Sequence, residues 1–268
     1  MRDHYLSANV VDHGIIGGYR VTSCTPTWKK IDMIKQTIAI QNAANEARIS
    51  SICKRFGLSD AYAWVVEHNR GRINGYHNTE HCMAMMRIAF DLSSVTHGVN
   101  RDELKAMLLA CMFHDFDHTG ANVPDSVNIE LATRGLHAFA QQCNYRDYYN
   151  ASADFNNWIA TAERLIRVTE FPFVHEPRTV CERLIRDADM LYISSSVDYI
   201  RLFEGLRDEL AKKTGTKRTL RESVALQKEF INKAVWYTEA GAALIKEIKP
   251  VTFDLLDAYV AASENLGA

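Results

Sequence analysis

Turn-forming residues are scarce in this chain: five prolines and thirteen glycines among 268 residues. A sandwich or barrel of short strands needs a turn signal every ~8–12 residues, and most of the chain offers none. An excess of one charge is missing too. The formal net charge is -2, so no global field draws in a nucleic-acid polymer or an anionic membrane. The six cysteines stand singly, without a C-x-x-C pair, which argues against a dithiol redox motif, a zinc ribbon or a disulfide framework. No window reaches the length of a membrane span, and the opening MRDHYLSANVVDHG lacks the apolar core of a secretory leader. Together these absences predict a cytoplasmic protein in a reducing compartment, with no membrane partner.

What is present is helical periodicity. Hydrophobic residues make up 47% of the chain and charged residues 24%, enough for a sizeable core. Apolar residues recur at helical spacing in segments 28–57, 60–68, 79–92, 101–113, 125–143, 156–168, 178–191 and 197–212. Further helices are predicted over 220–249, broken near Gly241, and over 252–262. The departure is residues 9–23, where β-branched residues around Gly17-Gly18 predict a short hairpin or an extended lead-in. The expected fold is therefore a compact all-α, multi-helix bundle over 28–268, preceded by an N-terminal segment, 1–27.

Polar residues crowd three windows of this helical chain. In GYHNTEHC, His77 and His81 are four apart and share a face if a helix starts near His77. Asn78 or Thr79 can cap that start, with Glu80 well placed in the first turn. By itself this spacing is a weak signal. In FHDFDHTG, the apolar run ELKAMLLACMF ends by presenting His114 and Asp115 together, and Asp117-His118 repeats the pair. A carboxylate ending an apolar run is costly to bury unless paired or metal-bound, and imidazole with carboxylate suits a divalent cation. The bland alternative is a polar helix C-terminus. In RLIRDADMLY, Leu184, Ile185, Ala188 and Leu191 form a buried stripe; Asp189 turns toward it, and Asp187 is expected to face solvent.

The ordered set H…HD…D resembles the HD superfamily of metal-dependent phosphohydrolases, and most of all the catalytic domain of the 3',5'-cyclic nucleotide phosphodiesterases. YHNTEH (76–81) is similar to that family's YHNxxH, and FHDFDHTG (113–120) to its FHDxDHxG. NIELA (128–132), LIRDADM (184–190) and LQKEFI (226–231) resemble its NSELA, L-I-x-x-A-D-L and Q-x-x-F-I elements. One departure is Val123, where the family signature expects asparagine.

The resemblance implies a metal-dependent phosphoric diester hydrolase acting on a small nucleotide. Two divalent ions are implied: a tight, zinc-like site on His81, His114, Asp115 and Asp189, and a second magnesium or manganese site bridged by Asp115. His77 would be the general acid, with His118 and Glu130 around the metal-bound waters. Tyr76, Gln227 and Phe230 would hold the nucleotide, Gln227 by hydrogen bonds to the base and Phe230 by stacking. The implied reaction opens a cyclic nucleotide of the AMP or GMP type to its 5'-monophosphate, through a hydroxide bridging the metals. Two other readings use the same residues: hydrolysis of another nucleotide (cyclic oligonucleotide, linear nucleotide or alarmone), or nucleotide binding without catalysis.

Overall fold

The computed structural model of the protein describes residues 15–16, 19–20, 44–120, 122–145, 153–192 and 199–267. The chain divides into two units, residues 1–47 and 48–268. In the first, β1 (Ile15–Ile16) and β2 (Tyr19–Arg20) pair antiparallel, Ile15 opposite Arg20 and Ile16 opposite Tyr19. The sequence between them is Gly17-Gly18, a pair suited to a two-residue hairpin connection. The helix expected over 28–43 lies outside the described residues.

In the second unit every described element is helical. Residues 48–56 (α1) lead to α2 (Ser59–His68), a single 3-10 turn at Arg70–Ile73, α3 (Thr79–Ser94), α4 (Arg101–Phe113) and α5 (Asp125–Tyr145). Then come α6 (Ala153–Val168), α7 (Val180–Tyr192), α8 (Tyr199–Thr214), α9 (Leu220–Lys233) and α10 (Glu239–Gly267).

The organising element is α4. It starts with a capping box: the Asn100 side chain accepts from the Asp102 and Glu103 amides, and Glu103 accepts from the Asn100 amide. From Ala106 to Phe113 every residue is buried, so this stretch of the helix has no solvent face. It packs chiefly on α3 and α6, with α2, α5 and α7 completing the surround. A smaller apolar cluster joins α8, α9 and α10 through Tyr199, Phe203, Val224, Leu256 and Val260. Cys53, Cys82, Cys111 and Cys181 are buried thiols, as expected for small apolar residues, and burial pushes Cys53 up to about 11.

Two details differ from the sequence reading. The predicted break near Gly241 falls earlier, at 234–238, and α10 then runs unbroken through Pro250. Pro250 is exposed, so water can satisfy the carbonyl that its missing N–H leaves unpaired. Gly241 sits in the first turn of α10, where any Cβ would collide with the Asp187 carboxylate.

The α8 helix crosses the segment before α3 at a glycine pair. A Cβ on Gly75 would lie 2.6 Å from the Gly205 Cα, and one on Gly205 would strike the Gly75 carbonyl. Backbones touch here with no side chain between them. Gly205→Ala should destabilise the protein by about 1–3 kcal/mol through overpacking. Thermal unfolding followed by circular dichroism should show a fall of several degrees; an unchanged midpoint would mean that the helices part freely.

Candidate active site

Three helices converge on one buried polar point. The Asn78 side chain caps α3 by accepting from the His81 amide at 3.1 Å, which puts His81 in the first turn. His114 is the C-cap of α4, and its Nδ1–H donates to the Cys111 carbonyl at 2.9 Å. That bond leaves His114 Nε2 as the lone-pair nitrogen. Asp115 follows directly, and α7 brings Asp189 from the third side. His81 Nε2 lies 2.9 Å from His114 Nε2, 3.0 Å from Asp115 Oδ2 and 3.2 Å from Asp189 Oδ1. His114 Nε2 is 3.2 Å from Asp115 Oδ2 and 3.8 Å from Asp189 Oδ1.

These separations fit a divalent cation. Neighbouring ligands on an ion with bonds of ~2.1 Å stand ~3.0–3.4 Å apart, whether the geometry is octahedral or tetrahedral. Two imidazoles and two carboxylates also form a donor set of intermediate hardness. The local electrostatics agree. Burial opposes charge on His81 and His114, but Asp115 beside both, and Asp189 beside His81, push the imidazoles up. Burial likewise opposes ionisation of Asp115, yet the histidines hold it well below the usual carboxylate range. His81, His114 and Asp115, all buried, are so arranged that they could hold a metal ion.

A second cluster lies beside the first. His77 Nδ1 is 2.6 Å from Glu209 Oε2, while Glu209 Oε1 accepts from the Tyr76 and His77 amides at 2.6 and 3.2 Å. Burial opposes ionisation of Glu209, but His77 outweighs it and the carboxyl sits below its ordinary value. With Nδ1–H committed to Glu209, the proton that His77 can give away is on Nε2. The His118 ring stacks on His77 with centroids 3.9 Å apart. His118 Nδ1 accepts from the Gly120 amide at 3.0 Å, and its Nε2 lies 3.6 Å from Asp125 Oδ1. These three groups could by position hold an ion as well, but each already has a hydrogen-bond partner, which suits proton transfer better.

Asparagines lock this region. Buried Asn69 accepts from the Gly71 and Asp117 amides at 2.9 Å each. Asn74 donates to the carbonyls of His77 and His118, at 3.0 and 2.7 Å. Asp117, with φ 60°, turns its carboxylate onto Arg70.

A cavity of about 790 Å³ is lined by Tyr76, His77, His118, Asp189, Gln227 and Phe230, among others; Asp189 is the member of the first cluster that reaches it, and His77 and His118 are those of the second. Gln227 is buried next to the Tyr199 hydroxyl. Phe230 meets Phe171 edge to face, with centroids 5.9 Å apart. Arg186, fully buried on α7, fixes the Phe171 loop by donating to the Val168 carbonyl at 2.9 Å and to the His175 carbonyl. Its guanidinium also lies 4.0 Å from the Phe173 ring centroid.

Nearly all the residues expected at the site meet there. Glu130 does not. It is about half exposed and paired with Arg167 at 2.6 Å, outside the cavity lining. The carboxylate at His118 is instead Asp125, five residues earlier on α5; five residues turn a helix face by ~140°, so the two cannot point the same way. Asp187 also corrects the sequence reading. It is fully buried, not solvated, and accepts from the Tyr237 and Thr238 amides at 2.9 and 2.8 Å and from the Thr238 hydroxyl at 2.6 Å. Burial pushes its carboxyl up, and these bonds only partly offset that. Glu209 was invisible in sequence, because its partner His77 is 132 positions away.

The 3'5'-cyclic nucleotide phosphodiesterase family model matches residues 76–134. That span holds His77, His81, His114, Asp115 and His118, and the HD-type helical architecture around it is consistent with the match. The chain thus carries a phosphodiesterase-type catalytic region, that of a phosphoric diester hydrolase. No curated protein matches the chain. Among the described residues, no helix is long and apolar enough to cross a membrane.

Asp115→Ala should cut the affinity for a divalent metal by at least about 100-fold, since it removes a carboxylate that faces both imidazoles. Elemental analysis after dialysis against a weak chelator should find metal on the parent protein and little on the variant; equal contents would dismiss the site.

Proposed function

We propose that this protein hydrolyses a 3',5'-cyclic nucleotide of the AMP or GMP type to a nucleoside 5'-monophosphate. The observation that carries the reading is one cavity lined by Asp189, which faces His81 and His114, by His77, which is paired with Glu209, and by a glutamine–phenylalanine wall. The donor set would hold a zinc-like ion, with Asp115 shared to a second magnesium or manganese ion. Bound there, such cations supply Lewis-acid neutralisation of the phosphoryl oxygens and a more acidic water nucleophile.

The chain's own groups do the rest. The ribose 3' oxygen is a poor leaving group and needs a proton as its bond to phosphorus breaks. His77 Nε2–H supplies it, while Glu209 orients the ring through Nδ1. His118, stacked on His77, keeps the imidazole plane fixed. Gln227 carries both a donor and an acceptor for a purine edge, and Phe230 and Phe171 offer aromatic surface to its face. Buried thiols fit a reducing compartment, and we assign the activity to the cytoplasm.

His77→Ala should lower kcat on a 3',5'-cyclic nucleotide by about 10²–10⁴-fold. The same variant should lose far less on a nitrophenyl phosphodiester, whose leaving group needs no proton. Equal losses on the two substrates would remove His77 from the general-acid role. Failure of the metal-loaded protein to turn over any cyclic nucleotide would overturn the reaction itself.

A further inference from the structure

We propose that the outer rim of the cavity binds a second phosphate, so that, beyond a cyclic mononucleotide, the site accepts and prefers a nucleotide carrying a phosphate group besides the scissile one. The scissile end rests on the phosphodiesterase reading above; the rim rests on separate residues. On α8, Gly205, Glu209 and Lys213 recur every four residues and share one face. Gly205 meets Gly75, Glu209 holds His77, and Lys213 lines the cavity one turn on, ~6 Å along the helix axis. The chain then turns at Gly215, with φ 69°, and brings Arg218 back to the same cavity.

In sequence this stretch, AKKTGTKRT, reads as a solvated basic loop. In the folded chain it is a fixed wall. Arg207 donates to the Arg218 carbonyl at 2.7 Å, Lys217 pairs with Asp208 at 2.5 Å, and Thr219 caps α9 in a capping box with Glu222. The other cations lining the cavity are matched: Arg207 pairs with Glu204 at 3.0 Å and Lys233 with Glu229 at 2.5 Å. Lys213 and Arg218 form no ion pair among the described residues. Arg218 acts on the Glu222 carboxylate without pairing with it directly, and Lys213 has no carboxylate partner among the described residues. Two cations without a direct ion pair on an anchored rim suit an anion, and a nucleotide whose single phosphate lies at the donor set does not reach them. At about 790 Å³ the cavity is toward the large end for a small-molecule site, with room for a second nucleoside unit.

The test compares three probes: a 3',5'-cyclic mononucleotide, a 3',5'-linked cyclic dinucleotide and a linear dinucleotide with a 5'-phosphate. Titration calorimetry reads binding with and without added manganese, and initial rates read KM and kcat. The two probes with an extra phosphate should bind about tenfold more tightly than the mononucleotide, the size expected of two exposed ion pairs. In Lys213→Ala/Arg218→Ala that preference should collapse toward one through KM rather than kcat, and Lys213→Arg should retain it. Which of the two probes is favoured tells a cyclic from a linear source of the phosphate. Equal binding of all three probes, or an unchanged preference in the double variant, overturns the rim while leaving the mononucleotide reaction intact. Tighter binding of the extra-phosphate probes with no hydrolysis of any probe supports the rim and overturns the reaction.

Discussion

The structure depends on burying one carboxylate. Asp115 follows a helix that is buried all round from Ala106 to Phe113, so it is delivered to a buried position among α3, α4 and α7, where an unpaired anion is prohibitively costly. Everything around it answers that cost. His114 is held in the tautomer that offers Nε2, His81 is fixed in the first turn of α3 by the Asn78 cap, and Asp189 closes the third side. A second carboxylate here would be repulsive were the imidazoles not between the two acids. The arrangement makes physical sense as a cation cage, because a divalent ion supplies the charge that two acids require and two neutral imidazoles complete its coordination.

On the proposed reading, proton chemistry sits beside this cage without joining it. His77 is held off by its bond to Glu209, which exists because two glycines let α8 reach the backbone before α3. The division of labour between His77 and His81, four residues apart, is thus set by what each ring's other nitrogen faces, not by spacing alone.

How much of this was legible in the sequence follows from the range of the interactions. Helices were readable because their periodicity is local, and α4 was found to the residue because its cap and its polar ending are both written in the chain. The donor residues were readable because acids and imidazoles stand out against apolar runs. Glu209 was not, since its meaning comes from a contact across 132 positions. Asp187 misled because in a helical-wheel reading a partner from α10 cannot be seen; the acid looked solvated and is fully buried. Glu130 misled in the opposite sense: the NIELA likeness named it, but the helical turn sends it to Arg167.

Helix α7 carries three commitments within four residues: Arg186 grips the aromatic loop, Asp187 caps α10, and Asp189 faces the two histidines. Loop, cap and candidate ligand are therefore mounted within about one turn of a single helix. A guest that pushed the Phe171 wall outward would pull on that helix through Arg186 and shift Asp189 against His81. On the proposed reading, fit at the base end would thereby be read out at the phosphorus end, and a poorly shaped nucleotide would be rejected by mis-set chemistry as well as by weak binding.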